Sequence, residues 1–225
     1  MCFSAEASFV GAVVISAVGV VTQSKVKQPT QRLFSVIPLL FGLQQFAEGT
    51  LWVTLRSGGY DILQNASTYV FLITALVFWP VMIPLSMCFM EEKISRKKIL
   101  TGLAVTGGIL SLFYAFCLIS YDVIPQIHNF HIQYIDGFPK PLVTIASLFY
   151  PIVTIAPLFI SSVRRMWLAG ILIAISYIVT GIYFAQYLTS VWCFFAALIS
   201  IVIYWILRGS QTTEPSETCV EVRDS

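Results

Sequence analysis

The chain has 225 residues, of which 57% are hydrophobic and only 11% are charged. Because a soluble domain carries roughly 25% charged residues, this composition excludes an ordinary water-soluble globular domain. The five cysteines show neither CxxC spacing nor the density of a disulfide framework, which argues against a zinc ribbon and a stapled secreted domain.

Continuous apolar stretches predict transmembrane helices along most of the chain. A hydrocarbon core about 30 Å thick needs roughly 20 apolar residues in a helix. The stretches are unbroken and do not alternate as the strands of a membrane β-barrel do. We therefore predict an all-α fold, in which residues 1–208 form a bundle of seven transmembrane helices at 6–23, 33–55, 68–90, 99–120, 141–163, 166–186 and 189–208.

The basic residues predict the orientation of this bundle. If the N-terminus lies outside, eleven of the 13 lysines and arginines fall in cytoplasmic segments, and only Arg56 and Lys140 fall outside. This is the positive-inside bias, and it alternates from loop to loop as an odd number of helices requires. The expected topology has an external N-terminus and a cytoplasmic C-terminus.

The start of the first helix contains three residues of interest. Ser4 is a candidate N-cap, and Glu6 in the first turn would complement the helix dipole. Cys2 has three interpretations: a small buried residue, a disulfide partner of Cys193 at the outer edge, or a nucleophile exposed by removal of Met1.

Glu48, in the second predicted helix, is the only charged residue well inside a hydrophobic span. A charge at membrane depth costs at least about 2.5–3.5 kcal/mol on insertion scales, so it usually faces a cavity or a partner. The helical period places it on one face with Phe41, Gln45 and Trp52, and Gln44 lies one turn earlier. This stripe is either a functional pocket or a structural hydrogen-bond knot between helices.

Glycines and prolines predict the local shape of two helices. Gly42 and Gly49 flank the stripe around Glu48 and would allow a second helix to approach closely. Pro80, after Trp79, and Pro84 lie within the third span, where each removes a backbone donor and favours a kink.

The longest external loop, roughly 120–140, contains both histidines of the chain and many apolar residues. Its apolar content predicts that it packs on the bundle or lies in the membrane interface. His128 and His131 are three residues apart and would share a face on a helix. With Glu48, Glu6 or a cysteine they form a candidate zinc site, the alternative being that they hydrogen-bond to the loop backbone.

The C-terminal part of the chain divides into an apolar helix and a polar tail. The last span starts near Trp192, which topology places on the same outer side as Glu48. Residues 209–225 contain almost no apolar side chains and are predicted to form a disordered cytoplasmic tail.

Short motifs along the chain resemble those of a known family. They are MCFSAEASF at 1–9, QQFAEG at 44–49, Trp79-Pro80, HIQY at 131–134 and SVWCFFA at 190–196. Together they resemble a family of multi-pass membrane proteins, mostly bacterial, whose function is unknown. The resemblance implies a shared helical bundle in the bacterial inner membrane and no particular activity.

Three functional hypotheses follow from these residues. The preferred one is an outward-facing pocket, centred on Glu48, that binds or transports a small solute or cation. The second is a membrane-embedded hydrolase that uses Glu48 and His131, with Cys2 or a metal ion such as zinc. The third is a structural or assembly subunit. Expected partners are membrane lipids and a small molecule or ion, not nucleic acid, and the candidate ligand-binding residues are Glu48, Gln45, Gln44, Trp52, His131, Tyr134, Glu6 and Trp192.

Overall fold

The structure is a computed structural model that describes residues 4–128, 131–183 and 196–210, and most of them are helical. The helices are α1 (Ala5–Lys25), a 3-10 turn (Pro29–Gln31), α2 (Arg32–Ser35), α3 (Ile37–Ser57), α4 (Asp61–Leu72), a π-helical segment (Ile73–Phe78), α5 (Trp79–Met90), α6 (Ile94–Ser120), α7 (Lys140–Ile160), α8 (Met166–Tyr183) and α9 (Ala196–Ser210). Two strands, β1 (Val123–His128) and β2 (His131–Asp136), lie between α6 and α7.

Four helices in the described part are long and apolar enough to cross a membrane. They are α1, the continuous segment Asp61–Met90 that contains α4 and α5, α6 and α7. α8 and α9 hold shorter apolar stretches. α3 has the length of a span, but the polar side chains of Gln44, Gln45 and Glu48 lie in its middle. Each predicted span overlaps one of these helices.

The outer surfaces of the helices are apolar. On α6, the exposed fraction is 64% for Ile109, 73% for Leu112 and 87% for Ile119. In water, a contiguous apolar surface of this kind is unfavourable and usually marks an interaction site. The fold is therefore compatible with a membrane protein whose helix exteriors contact lipid.

α1 and α3 pack closely because glycines on α3 leave room for α1. A Cβ atom at Gly42 would lie 2.1 Å from Ser16 Oγ, and one at Gly49 would lie 2.9 Å from the Phe9 ring. Both distances are shorter than the contacts that real Cβ atoms make, so a larger residue at either position would force a neighbour to move. The predicted role of these two glycines in close helix packing is confirmed.

The segment Ile73–Phe78 is π-helical and ends next to the two prolines of α5. π-helical geometry and prolines both disturb the regular backbone hydrogen bonds. Neighbouring helices contribute side-chain donors here: Ser111 Oγ donates to Val77 O at 2.6 Å, and the Tyr150 hydroxyl donates to Ala75 O. Inside a membrane, such donors compensate for an irregular backbone.

The loop between α6 and α7 is an antiparallel hairpin, so the all-α prediction needs correction here. The register pairs Val123 with Asp136 and ends with His128 opposite His131. The β1 side chains alternate between buried and exposed at its start, a period of two that favours a strand. If the loop were helical, the two histidines would share one face of the helix. They are instead paired with each other across the two strands.

The two ends of α6 define the two ends of the molecule. α6 has 27 residues and is about 40 Å long at 1.5 Å per residue. The hairpin follows its last residue and packs against α3, and we call this the hairpin end. The connections at 91–93 and 161–165 are joined by hydrogen bonds at the other end, which we call the Glu91 end.

Candidate functional site

A stripe of polar side chains is buried in the middle of α3. Gln45, Glu48 and Trp52 are each 0% exposed, and Gln44 is 1% exposed. The spacing of three and four residues places them on one side of the helix. The burial predicted for this stripe is therefore observed, although its role is not decided by burial alone.

Gln44 is used to hold two helices together. Its Oε1 accepts a hydrogen bond from Trp79 Nε1 at 3.3 Å, and the Phe41 ring lies 4.4 Å from the Trp79 ring. These contacts join α3 to the start of α5. For Gln44, this contact is of the kind that the structural interpretation of the stripe, a hydrogen-bond knot between helices, predicted.

Gln45 and Trp52 differ from Gln44 in their hydrogen bonding. Neither the amide nitrogen nor the amide oxygen of Gln45 has a hydrogen-bond partner among the described residues, and the same holds for Trp52 Nε1. Leaving a buried donor or acceptor unsatisfied costs about 1–3 kcal/mol per group. Such groups are rare in native proteins, and each one requires an explanation such as an ordered water, an ion or a ligand.

The hairpin packs against the C-terminal half of α3, where Trp52 lies. Ile132 is 1% exposed and contacts a buried cluster that includes Trp52 and Ala5. The Tyr134 ring packs against the same cluster and stacks on Phe71 with ring centroids 5.2 Å apart. The loop was predicted to pack on the bundle or to lie in the membrane interface. The hairpin does pack on the bundle, and it brings Tyr134 and Trp52 together.

His131 is also buried in the hairpin. Its side chain is 8% exposed, and desolvation by burial lowers its pKa below the ordinary value of 6.5. The neutral imidazole is therefore the favoured form near pH 7. A neutral imidazole can donate and accept a hydrogen bond but does not bring a positive charge to this end.

Arg56 contributes a positive charge that the sequence-based set of site residues did not contain. Its guanidinium carbon lies 5.0 Å from the centroid of the Trp52 ring, in a cation–π contact. Residues four apart on a helix are neighbours on its surface, so the spacing of Trp52 and Arg56 was an available signal. Arg56 is exposed and lies one helical turn beyond Trp52, the last residue of the stripe.

Glu6 and His128 lie outside the buried set. Both side chains are exposed. Ser4 Oγ accepts a hydrogen bond from the Ala7 backbone nitrogen at 3.2 Å, so the predicted N-cap of α1 is confirmed. Glu6 is the acid in the first turn of α1 and is not part of the buried stripe.

The described residues do not assemble the predicted metal site. No group of three His, Cys, Asp or Glu residues that could hold a metal ion occurs within 4–128, 131–183 and 196–210. His128 is exposed at the hairpin, whereas Glu48 is fully buried in α3. The set of His128, His131 and Glu48 therefore does not form a common ligand shell here.

A second buried acid, Glu91, lies at the opposite end of the molecule. Its Oε2 accepts from the Ser162 backbone nitrogen at 2.7 Å, and its Oε1 accepts from Ser162 Oγ at 2.5 Å and from the Lys93 nitrogen at 3.0 Å. Burial raises the pKa of Glu91, but these hydrogen bonds and the charge of Arg96 outweigh it and lower the pKa below 4.5. Sequence analysis missed this site because Glu91 follows the hydrophobic span and reads as a loop residue.

Comparison with known proteins places the chain in a family. The model of a family of unknown function, DUF6629, matches residues 1–218. The chain belongs to the DUF6629 family. The resemblance to a family of unknown function is thus confirmed, and neither a curated protein nor a solved structure gives a match.

Three predicted features of this DUF6629 member lie outside the described residues. They are the disulfide between Cys2 and Cys193, the site role of Trp192 and the predicted disordered tail from residue 211 onward. Gly209 and Ser210, which were also assigned to the tail, are instead the last residues of α9. Within the described part, the hairpin end brings together Trp52 and Tyr134 and buries His131, and Gln45 and Glu48 are buried on the same face of α3 nearer its middle.

Proposed function

We propose that this DUF6629 member is a bacterial inner-membrane protein with seven crossing helices, an external N-terminus and a cytoplasmic C-terminus. The charge bias supports this topology, because the Glu91 end carries Lys93, Arg96, Lys97, Lys98 and Arg164. The four helices that are long enough to span a membrane, and the apolar exteriors of the helices, support the membrane location. In this topology, the hairpin end faces outward.

We propose further that the hairpin end holds an outward-facing polar site that binds or transports a small solute or cation. One observation carries this proposal. The amide of Gln45 and the indole nitrogen of Trp52 are buried without hydrogen-bond partners among the described residues, on the same helix face as the fully buried Glu48. A polar ligand that occupies this face would supply the missing hydrogen bonds and offset their cost.

The charge of the stripe indicates the class of ligand. Among the buried residues of the described part, none is a lysine or arginine, and Glu48 is the acid nearest to Gln45 and Trp52 in the chain. A buried carboxylate repels an anionic ligand and attracts a cation. Small organic cations, amines and neutral hydrogen-bonding solutes are therefore the favoured ligands.

Thiol labelling tests whether the site opens to the outer side. In cells or proteoliposomes, Gln45→Cys is treated with membrane-impermeant methanethiosulfonates, one carrying an ammonium group and one a sulfonate. We expect labelling from the outer side, several-fold faster with the cationic reagent. Glu48→Gln in the same background should remove the preference, because it removes the charge and keeps the shape.

Leu51→Cys is the matched control. Leu51 is also 0% exposed on α3, but it packs in the apolar cluster under the hairpin, so it should stay unlabelled. The wild-type chain measures the background from its native cysteines. If Gln45→Cys reacts no faster than Leu51→Cys, the polar stripe is closed, and α3 serves only to hold the helices together.

A further inference from the structure

The Glu91 end carries an exposed basic surface. We define it by five residues, four at the start of α6 and one in the connection between α7 and α8. Lys93, Lys97, Lys98 and Arg164 are exposed, and Arg96 is partly buried. This surface lies at the opposite end of α6 from the site proposed above and does not depend on it.

Of the two acids just before this basic surface, Glu92 is exposed and Glu91 is turned inward. Glu91 is 2% exposed, and both of its oxygens accept hydrogen bonds from Ser162. The same bonds hold the two connections together, so that Arg164, two residues after Ser162, belongs to the same end as the cations of α6. The exposed cations therefore form one surface from two parts of the chain.

Exposed isoleucines lie among these cations. Ile94 is 73% exposed and Ile99 is 55% exposed. Lys97 and Lys98 are three and four residues after Ile94, so they lie on the same face of the helix. A soluble anion would leave the isoleucines in water. A lipid surface can bind the cations through its phosphates and bury the isoleucines at the boundary of its acyl chains.

The length of α6 places this face at the level of the lipid headgroups. The helix is about 40 Å long, roughly 10 Å more than the hydrocarbon core of a bilayer. In a helix close to the membrane normal, about two turns therefore lie in the polar region. The first turns of α6, which follow Lys93 and hold Ile94, Arg96, Lys97 and Lys98, are the polar ones.

We propose that Lys93, Arg96, Lys97, Lys98 and Arg164 form a docking surface for the headgroups of anionic phospholipids. The cations bind the lipid phosphates, and Ile94 inserts beside the glycerol region. Clusters of basic residues next to a membrane span attract anionic lipids, and this attraction falls off within a Debye length. The surface would hold a layer of anionic lipid around the Glu91 end.

Native mass spectrometry of the full-length protein tests this proposal. The protein is released from nanodiscs that contain equal amounts of phosphatidylglycerol and phosphatidylcholine, and the retained lipids are counted. We expect several-fold enrichment of phosphatidylglycerol in the wild type and at least a threefold loss of that enrichment in Lys97→Gln/Lys98→Gln. Lys140→Gln, a lysine in the first turn of α7 at the other end, should keep the enrichment.

Two further arms distinguish lipid from other anions. Ile94→Ser should lower the enrichment although it leaves every cation in place, because binding of a lipid also uses the apolar contact. Inorganic phosphate at millimolar concentration should not displace the lipid. Equal enrichment in the wild type and Lys97→Gln/Lys98→Gln would overturn the proposal, and so would displacement by phosphate. All these side chains are exposed, and Arg164→Gln provides a second variant if the double substitution impairs folding.

Discussion

Two buried polar clusters, one at Glu91 and one on the α3 face that holds Gln45, Glu48 and Trp52, differ in their hydrogen bonding. At the Glu91 end, the carboxylate accepts three hydrogen bonds, two of them from Ser162. Around Glu48, the neighbouring Gln45 and Trp52 keep buried polar atoms without hydrogen bonds among the described residues. Both acids are at most 2% exposed, so burial does not separate them.

The difference shows how a buried polar cluster can be interpreted. A buried polar group with all its hydrogen bonds contributes to stability and specifies one arrangement of the chain. A buried group that lacks partners costs free energy, and proteins tolerate that cost mainly where a function requires it. We therefore interpret the Glu91 end as a structural junction and the hairpin end as the candidate site.

The largest expected effect is the loss of stability on removal of the Glu91 carboxylate. Glu91→Ala leaves both Ser162 donors without their acceptor and should lower the free energy of unfolding by about 3 kcal/mol. Glu92→Ala changes an exposed neighbour and should stay within about 0.5 kcal/mol of the wild type. Unfolding in mixed detergent micelles measures both. Equal destabilisation by the two variants would show that the Glu91 junction adds no stability.

Amide substitution of each acid compares the two ends directly. Glu91→Gln directs an NH2 group at Ser162 donors and should cost about 2 kcal/mol. Glu48→Gln keeps the shape of the side chain, and a neutral amide can still take part in a hydrogen bond at this position, so its unfolding free energy should change by less than about 1 kcal/mol. The same micelle titration measures both. A larger loss for Glu48→Gln than for Glu91→Gln would mean that Glu48 is the structural acid.

Acid should affect the two ends in separate pH ranges. The pKa of His131 is lowered in the fold, so the unfolded chain binds the extra proton first. Stability is full above the ordinary histidine pKa of 6.5 and falls as the pH drops toward the folded pKa. The pKa of Glu91 is lowered from 4.5, so its contribution is lost only below that value, as the pH falls through the folded pKa.

Variants assign these two pH ranges to their residues. His131→Gln should remove the decline that begins near pH 6.5, and Glu91→Gln should remove the one below pH 4.5. Unfolding midpoints measured from pH 8 to pH 3 report both changes. If Glu91→Gln leaves the profile unchanged below pH 4.5, the hydrogen bonds from Ser162 do not favour the charged carboxylate.

The smallest expected effect comes from a matched pair of tryptophans. Trp79→Phe removes the donor to Gln44 and leaves its oxygen buried without that bond, so it should cost about 1 kcal/mol beyond the change in ring packing. Trp52→Phe removes a donor that has no partner among the described residues, so the loss of the N–H should be neutral or slightly stabilising. Thermal midpoints in detergent compare them. A greater loss for Trp52→Phe would show that its N–H is satisfied in the native protein.

Sequence analysis predicted the helices and their contacts better than the loops. The apolar stretches located α1, α6 and α7, because a long apolar helix is the main way to bury backbone polar groups in lipid. The close approach at Gly42 and Gly49 also followed from sequence, since only a missing side chain allows it. The hairpin was missed because its apolar residues were treated as a packed loop, although β1 alternates with a period of two.

The sequence predicted part of the candidate site, because the helical period and the cost of a charge in lipid can both be read from the local sequence. The helical period determined that Gln45, Glu48 and Trp52 share one face of α3, and the cost of a charge in lipid indicated that this face is buried. No local pattern could indicate that Trp79 bonds Gln44 and leaves Gln45 without a partner, because the two tryptophans and two glutamines have the same side-chain chemistry.

The sequence by itself determined that the chain is helical, apolar and rich in basic residues at one end, because these properties depend on neighbours within a few positions. Only the tertiary structure decided which polar groups are satisfied. Glu91 meets Ser162 across 71 residues of chain, and Tyr134 of the hairpin meets Phe71 of α4. Whether a buried polar group costs or gains free energy depends on such distant partners, and they are brought together only when the helices pack.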